Sequence, residues 1–300
     1  MTDLVRHLRV LRPHPGVLAF YDGRVAGQRF APGPNWVDDG ALSLGIASYA
    51  LVSGDEALVY DTHVSIDHAA LVRRSLEAEG VRRITVVLSH WHLDHVAGTA
   101  VFRDCDIVAN RRTAAHLARE RDAIEAGTSS GPPVIDPLIL PTRTFEGDLR
   151  LRIGDLDVRL IEANIHSDDA TVIWLPESRL LLAGDTVEDT VTYVGEPESL
   201  GLHLADIERL SALAPRFVLP NHGAPEIIAA GGYGPSLLPA TAAYIRWLLR
   251  LADEPGLADT PLSEVIAPQL AEGSLTWFAP YEAIHRQNVA RTRAALARHG

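Results

Sequence analysis

"LSHWHLDHVAG", residues 88–98, places three histidines and an aspartate within six positions: His90, His92, Asp94 and His95. Such crowding of polar side chains is rarely useful for packing. The preceding run "RITVVLS" is short, apolar and β-branched, which predicts a buried strand. In α/β sheets, ligands bind at the carboxyl ends of strands, where these side chains lie. The segment therefore predicts a ligand site built on a strand end.

The residue types of this segment point to metal binding. Zinc is bound in proteins by imidazole nitrogens and carboxylate oxygens. His90 and His92 stand at i and i+2, so an extended backbone can aim both rings to one side. Asp94 and His95 then curl round to a neighbouring point. One metal can take the first pair and a second metal the other pair, which leaves both metals in need of further ligands.

Three later positions can supply these ligands. His166 follows the apolar run "DVRLIEA", Asp185 follows "SRLLLAG", and His222 follows "RFVLP". Each stands directly after a predicted strand, as the first motif does. Because the same order of an apolar strand followed by a possible ligand occurs four times, the interpretation of these residues as a metal centre is strengthened.

Composition narrows the class of protein. The 300-residue chain suits one large domain or two small ones and can bury a sizeable core. Its formal net charge of −12 disfavours a nucleic-acid partner, because phosphate binding needs a clustered positive field. Cys105 is the only cysteine, so an internal disulfide is excluded and a reducing cytoplasm is expected. We expect no secretory leader and no membrane span, since no run approaches about 18 apolar residues.

A hairpin pattern recurs along the chain. In "GVLAFYDGRV" a DG turn between apolar runs predicts one hairpin. "SYALVSGDEALVYDT" and "TVIWLPESRLLLAGD" each predict a strand, a polar turn, a strand and an aspartate, Asp61 or Asp185. These equivalent ends hint at an internal duplication. After about residue 200 the pattern becomes mostly helical.

"HWHLDH" resembles the H-x-H-x-D-H signature of the metallo-β-lactamase superfamily. "IHSDDATVIWLP", "LLLAGD" and "LPNHG" are similar to the remaining metal motifs of that superfamily and occur in the usual order. The "DT" pair at Asp61 resembles its first, structural motif. The resemblance covers residues 42 to about 224. It implies an α/β fold, a four-layer αββα sandwich with the metals at one edge between the two sheets.

The resemblance also implies a dinuclear centre. Zinc is the expected metal, although the same ligands admit iron or manganese. Two metals about 3.5–4 Å apart hold a bridging water and lower its pKa, and Asp94 is expected to orient that water and accept its proton. The implied ligands are His90, His92 and His166 for one metal, Asp94, His95 and His222 for the other, and Asp185 as the bridge.

Details of the motifs narrow the activity. Asp185 stands where the best-known β-lactamases of the superfamily carry a cysteine or a non-ligand, so the chain is more similar to glyoxalase II-like thioesterases and lactonases. His92 argues against flavodiiron proteins, which usually have a glutamate there. We predict a hydrolase of an ester, thioester, lactone or lactam carbonyl. The alternatives are a β-lactamase, a phosphodiesterase or nuclease, an iron dioxygenase using His90, His166 and Asp185, and, weakest, a non-catalytic binding protein.

Several residues outside the ligand set receive predicted roles. The "HWHLDH" segment, residues 90–95, is here called the metal loop. Asp61 is expected to orient this loop by hydrogen bonding rather than to bind metal. Tyr193 is a candidate hydrogen-bond donor to the substrate, which we expect to be a small molecule. The loops at 127–142 and 186–202 and the C-terminal helices are expected to carry specificity, with a plain connector as the alternative for the 127–142 loop.

The chain is predicted to form a single domain over residues 1–300. Its core covers about residues 42–224, and residues 225–300 form a helical extension packed on that core. The aromatic side chains of the extension are expected to pack on the sandwich. A wall of the substrate pocket and a homodimer contact are alternative roles for the same segment.

Overall fold

Two β-sheets form the centre of the structure, a computed structural model that describes residues 5–299. Sheet 1 has the strand order β1-β2-β3-β4-β5-β6-β7, and sheet 2 has the order β12-β11-β10-β9-β8. The strands are β1 (Arg9–His14), β2 (Val17–Asp22), β3 (Ile46–Ser53), β4 (Glu56–Tyr60), β5 (Arg83–Val87), β6 (Asp106–Asn110), β7 (Arg143–Phe145), β8 (Asp148–Ile153), β9 (Leu156–Ile165), β10 (Ser167–Leu175), β11 (Leu180–Gly184) and β12 (Phe217–Pro220).

Helices connect and cover these strands. Short helical turns also occur, and the one at Val37–Leu42 borders the site described below. The α-helices are α1 (Ile66–Ala78), α2 (Leu93–Val96), α3 (Arg111–Glu125), α4 (Leu200–Ser211), α5 (Pro225–Ala229), α6 (Leu237–Leu249), α7 (Leu262–Val265), α8 (Ala267–Ala271) and α9 (Tyr281–His299).

The central strands alternate between two buried environments. In β4, Leu58 and Tyr60 face the core between the sheets, whereas Val59 faces the core beneath the helices of sheet 1. Val86 and Val87 of β5 divide in the same way. Successive side chains of a strand point to opposite faces, so a strand covered on both faces is apolar throughout. This is why these runs lack the alternation of a half-exposed strand.

The layers follow from which helices cover which sheet. The core under the outer face of sheet 1 includes Val72 and Leu76 of α1 and Leu117 of α3. Ile207 of α4 and Ile245 of α6 belong to the core that sheet 2 shares. The predicted αββα sandwich with C-terminal helices is therefore confirmed.

The two sheets repeat one arrangement of strands. In sheet 1, β3 and β4 form an antiparallel hairpin and β4 pairs in parallel with β5. In sheet 2, β10 and β11 form the hairpin and β11 pairs in parallel with β12. Asp61 and Asp185 directly follow β4 and β11. Strands of equivalent position thus deliver polar residues to one edge of the sandwich.

The predicted DG hairpin in residues 16–25 is wrong. The turn lies one strand earlier, at Gly16, which has a left-handed backbone (φ 72°) and joins β1 to β2. Asp22 ends β2 instead of starting a turn into another strand. Its buried carboxylate accepts a hydrogen bond from the Gly23 amide at 2.6 Å and lies 2.9 Å from His68 Nε2. These tertiary contacts override the local turn preference of Asp-Gly.

Candidate metal centre

The first group of predicted ligands lies just after β5. The chain leaves the strand at Val87 and makes one helical turn, α2, whose apolar members Leu93 and Val96 are buried. Burial of these two side chains anchors the turn in the core. As a result His95 is fully buried, whereas the Asp94 side chain keeps 18% of its surface exposed.

Three imidazoles converge on one point. His90 Nε2 lies 2.9 Å from His92 Nδ1, and His166 Nε2 lies 3.0 Å from the same nitrogen. His166 joins β9 to β10 with a left-handed backbone (φ 71°), which is uncommon for a residue with a side chain. Such local strain is concentrated at functional positions, because the surroundings must hold it in place.

A second group lies beside the first. Asp94 Oδ2 lies 3.5 Å from His95 Nε2 and 3.4 Å from His222 Nε2. His222 follows β12, two positions beyond Pro220. The ligand atoms of these three residues lie within 4.8 Å of one another.

Asp185 is shared between the two groups. Its Oδ2 lies 3.1 Å from His95 Nε2 and 3.4 Å from His222 Nε2. The same oxygen lies 3.7 Å from the Nε2 atoms of both His90 and His166. One carboxylate oxygen therefore stands among four imidazole nitrogens, two from each group.

The first group consists of neutral imidazoles. Burial lowers the pKa of His92 to about 4 and the pKa of His166 to about 3. Burial also holds the pKa of His90 well below its ordinary value. A neutral imidazole offers a lone pair, and this is the form that binds metal.

In the second group, imidazoles lie beside carboxylates. Burial alone would lower the pKa of His95, but nearby carboxylates, Asp185 foremost, outweigh it and hold that pKa well above its ordinary value. The pKa of His222 is raised in the same way. Burial would raise the pKa of Asp185, but His95 and His222 hold it well below its ordinary range. The carboxylates therefore stay ionised at this edge of the sandwich.

The geometry fits metal ions. Ligands about 2.1 Å from a tetrahedral ion are about 3.4 Å from one another, which is near the separations around Asp185 Oδ2. The other oxygen, Oδ1, is buried and accepts no hydrogen bond from the described residues. A buried carboxylate oxygen without a partner is costly unless a ligand satisfies it. The structure thus brings the seven predicted ligands together, and their metal binding stays a prediction.

Most of the site imidazoles are held from behind through the ring nitrogen that faces away from the centre. Such contacts select the tautomer and fix the ring orientation. The contacts are His90 Nδ1 with Ser89 Oγ (2.9 Å), His95 Nδ1 with Asp61 Oδ2 (2.9 Å), His166 Nδ1 with the Tyr193 carbonyl (3.0 Å) and His222 Nδ1 with the Gly45 carbonyl (2.8 Å).

Asp61 makes the orienting contacts expected of it. Its Oδ1 accepts a hydrogen bond from the Ser89 amide at 2.7 Å, and its Oδ2 accepts one from Asn221 Nδ2 at 2.5 Å. With the contact to His95, this carboxylate joins the end of β5 to the end of β12. Asp61 lies behind the ligands and does not line the cavity.

The centre opens into a cavity of about 230 Å³. Tyr193 lines it, and so do Ile284 and Gln287 of α9. Contact between Tyr193 and the substrate stays a prediction. The extension therefore walls the cavity, which the sequence analysis gave only as an alternative. Asp39, Gly40 and Leu44 also line the cavity, and no sequence pattern indicated these N-terminal residues.

Glu188 is a site residue that sequence reasoning missed. It lines the cavity, and its Oε1 lies 3.6 Å from His166 Nδ1. Burial raises its pKa to about 7. Its position three residues after Asp185, in a stretch of threonines and valines, was the only available signal.

The expectation that the loop at 127–142 carries specificity is not supported. None of its residues lines the cavity. Ile135 and Leu138 pack instead into the core beneath the sheet 1 helices, and the Pro133 carbonyl accepts a hydrogen bond from the Trp36 indole at 3.0 Å. Its apolar residues make it a connector that is anchored in the core. The 186–202 loop, by contrast, contributes Glu188 and Tyr193.

Fold and site together define a metallo-β-lactamase-type protein. The model of the metallo-beta-lactamase superfamily matches residues 43–250, more than two thirds of the chain. The chain belongs to the metallo-β-lactamase superfamily, so the family prediction is confirmed.

Two kinds of curated relative match the chain. The "Atrochrysone carboxyl ACP thioesterase" of Aspergillus fumigatus is 28% identical over 184 residues, which cover 60% of this chain and 51% of the relative. The "Hydroxyacylglutathione hydrolase" of Cereibacter sphaeroides is 30% identical over 140 residues, covering 47% of this chain and 48% of the relative. The chain thus spans about half the length of these relatives. Their names agree with the predicted class, a hydrolase.

Solved structures show the same fold. The DIM-1 metallo-beta-lactamase superimposes with a TM-score of 0.61 at 17% identity, covering 80% of this chain and 98% of the other. A metallo-beta-lactamase from Pontibacter korlensis gives a TM-score of 0.61 at 19% identity, covering 80% and 99%. At this identity the likeness establishes the fold alone. Within residues 5–299, we find no helix long and apolar enough to cross a membrane.

Proposed function

We propose that the protein is a dinuclear metallohydrolase that cleaves an ester, thioester or lactone carbonyl. The observation that carries this proposal is the shared oxygen of Asp185, which lies 3.1–3.7 Å from four imidazole nitrogens of two ligand groups. In this position the Asp185 carboxylate would help to hold both metal ions. Zinc is the proposed metal, because imidazole and carboxylate ligands in a near-tetrahedral arrangement suit it.

Two divalent ions at such a centre supply an activated water and polarise the substrate carbonyl. The protein's own residues orient the reaction. Asp94 is the more exposed of the two predicted carboxylate ligands, and it lines the cavity. It would accept a hydrogen bond from the attacking water and take its proton at a carboxylate oxygen. Tyr193 and Gln287 line the same cavity and are proposed to contact the substrate.

The cavity favours an uncharged substrate. The described residues that line it include the carboxylates of Asp39 and Glu188 and no arginine, and the chain contains no lysine. Neighbouring arginines are engaged elsewhere: Arg24 donates to the carbonyls of Leu44 and Asp189, and Arg29 lies 3.4 Å from Asp39. Arg291 lies over the Tyr193 ring, 5.3 Å from its centroid, and is engaged by the Gly195 carbonyl. Among the described residues that line the cavity, a substrate carboxylate away from the reacting carbonyl would therefore meet no arginine or lysine. This disfavours β-lactam antibiotics, which carry a carboxylate.

The names of the curated relatives support the thioester member of this substrate class. We further propose a small-molecule substrate and a cytoplasmic setting. The single cysteine supports that setting, since Cys105 cannot form an internal disulfide. Burial raises the pKa of this thiol to about 11, so it stays protonated and unreactive.

The test combines metal analysis with a substrate screen. Elemental analysis of the purified protein is expected to give two zinc ions per chain. Thioesters, lactones and simple esters are expected to be cleaved, and Asp94→Ala should lower kcat/KM by roughly 10²–10⁴-fold while the circular dichroism spectrum is unchanged. One iron per chain with oxygen uptake would establish a dioxygenase instead. Faster cleavage of bis(p-nitrophenyl) phosphate than of every carbonyl substrate would establish a phosphodiesterase.

Charge preference is tested with a matched pair of esters. The p-nitrophenyl ester of a five-carbon acid is expected to have at least a tenfold higher kcat/KM than the half-ester of the five-carbon diacid, roughly the effect of an unpaired charge in a partly buried site. Gln287→Arg should narrow this ratio. Glu272→Gln, the same charge change at an exposed residue that does not line the cavity, should not. Equal rates for both esters would contradict the preference but not the hydrolase proposal.

A further inference from the structure

The carbonyl that holds His166 belongs to an irregular segment. Residues 186–195, here called the Tyr193 segment, follow Asp185 and contain no strand or α-helix. The Tyr193 carbonyl lies 3.0 Å from His166 Nδ1. With Nδ1–H donating to this carbonyl, the lone pair of Nε2 faces the first ligand group. The position of His166 therefore depends on whatever fixes the Tyr193 segment.

Asn288 of α9 fixes the segment on both sides of Tyr193. Its Oδ1 accepts a hydrogen bond from the Val194 amide at 2.8 Å, and its Nδ2 donates to the Thr192 carbonyl at 2.9 Å. Nδ2 also lies 3.2 Å from the hydroxyl of Tyr244 on α6. Asn288 is completely buried. A buried amide with this set of partners has one allowed orientation, because acceptor and donor atoms cannot be exchanged.

Tyr281, at the start of α9, adds a second link. Its hydroxyl donates to Glu188 Oε2 at 3.0 Å, and Glu188 Oε1 accepts from the Tyr193 amide at 2.9 Å. The amide of Tyr193, the flanking Thr192 carbonyl and the flanking Val194 amide are thus all held directly or indirectly by α9. The helix that walls the cavity also fixes the backbone that holds His166.

Asn288 and Tyr281 lie outside the region of this chain that matches the family model. The match to the family ends at residue 250, and α9 covers Tyr281–His299. We propose that Asn288 is a positioning residue for the metal subsite of His90, His92 and His166, acting through the Tyr193 carbonyl. This inference rests on the proposed metal centre. The extension then has a role in metal affinity, in addition to packing on the sandwich.

The same helix provides a matched control. Thr292 stands one turn after Asn288 and is buried, but its hydroxyl has no hydrogen-bond partner among the described residues. Thr292→Val keeps the side-chain shape and removes a hydroxyl that makes no hydrogen bond to the described residues. Asn288→Leu removes three hydrogen bonds at similar volume. Asn288→Asp keeps the acceptor for the Val194 amide and loses the donor.

The experiment measures zinc affinity for each of the two metal equivalents, by competition with a chromophoric chelator at constant pH. In Asn288→Leu one equivalent is expected to bind at least tenfold more weakly, near the lower end of the 10–100-fold effects of contacts behind metal ligands. The other equivalent and both equivalents of Thr292→Val should stay within about twofold of wild type. The zinc affinity of Asn288→Asp for the weakened equivalent should lie between those of Asn288→Leu and the wild type. Asn288→Asp replaces Asn288→Leu in the experiment if the leucine variant does not fold.

The outcomes separate this inference from the proposed function. Wild-type affinity for both equivalents in a folded Asn288 variant overturns the positioning role and leaves the metallohydrolase proposal intact. Equal weakening of both equivalents, with a loss of stability in the metal-free protein, assigns Asn288 to the fold alone and also overturns it. A wild-type protein that binds no zinc overturns the proposed metal centre and this inference together.

Discussion

At the scale of the residue, Asp61 acts through the groups to which it is hydrogen-bonded. It is buried, and its two oxygens receive the Ser89 amide, the Asn221 amide nitrogen and His95 Nδ1. Its backbone is left-handed (φ 68°), which aspartate and asparagine tolerate better than most residues. Asp61 is therefore constrained by both its side chain and its backbone.

Asp61→Ala should lower the free energy of unfolding by about 3 kcal/mol, because three buried polar partners lose their acceptor. Asp61→Asn should cost less, since it keeps an acceptor for the Ser89 amide and suits the backbone. Urea denaturation of the metal-free proteins measures both. Asp157→Ala, at an exposed aspartate of β9, is the control and should stay within about 0.5 kcal/mol of wild type. A wild-type urea midpoint for Asp61→Ala would contradict a stabilising role for the buried Asp61 carboxylate.

His203 gives a prediction about pH. It is buried on α4, and neither ring nitrogen has a hydrogen-bond partner among the described residues. Burial lowers its pKa to about 4. The unfolded chain therefore binds this proton below about pH 6.5, and the folded chain binds it only below about pH 4. His203 thus makes the protein less stable as the pH falls through this window.

His203→Leu should remove this loss of folding stability at low pH, which is about 3 kcal/mol at pH 4. Stability at pH 7 should be retained, because the substitution also removes two buried nitrogens without partners. Urea denaturation at pH 7 and pH 4.5 measures the difference. The idea fails if the variant and the wild type lose equal stability between the two pH values.

At the scale of the element, the metal loop depends on close packing beside α1. Gly98 ends the "HWHLDHVAG" run, and a Cβ built on it would lie 2.2 Å from the Ala69 Cβ and 2.3 Å from the Thr62 carbonyl oxygen. Glycine is required here by the closeness of the neighbours rather than by its backbone angles (φ −95°). The turn that carries Asp94 and His95 can dock only because this position has no side chain.

Gly98→Ala should therefore destabilise the protein by about 3 kcal/mol through overpacking. Gly201→Ala, in α4, is the control, because nothing lies within 4 Å of its added Cβ. That control should be neutral or stabilising by up to about 1 kcal/mol, since alanine favours helix. Thermal unfolding of both variants measures the difference. Equal stability of the two would contradict the requirement for glycine at position 98.

Some elements were predictable because their signal is local. The β3–β4 and β10–β11 hairpins follow from polar turn residues between apolar runs, and the structure has them. The DG hairpin failed because the carboxylate of Asp22 is bound by His68, 46 positions away in sequence. The loop at 127–142 was misjudged because the burial of Ile135 and Leu138 depends on α3 and its neighbours, not on the loop itself.

At the scale of the whole molecule, the ligand groups unite β5, β9, β11 and β12 from both sheets. Metal ions bound there stabilise only the folded chain, so removing them should lower the melting temperature. A metal present at about 1,000 times its dissociation constant adds about 4 kcal/mol, which corresponds to roughly 5–10 °C for a chain of this size.

Chelation with EDTA should therefore lower the melting temperature by this amount, and zinc added after removal of the chelator should restore it. Calorimetry or circular dichroism measures both steps. A melting temperature that does not respond to chelator or zinc would contradict a metal centre that joins the two sheets.

The sequence by itself determined the candidate ligands and the strands that precede them, because a strand period, a turn and a ligand type directly after a strand are short-range information. The resemblance of its motifs implied the superfamily, the sandwich and the bridging place of Asp185. Tertiary structure alone decided that Glu188 and Asp39 line the cavity, and that Asn288 holds the segment behind His166. Those relations join residues far apart in the chain, and such contacts depend on how the sheets and α9 pack, which no local pattern encodes.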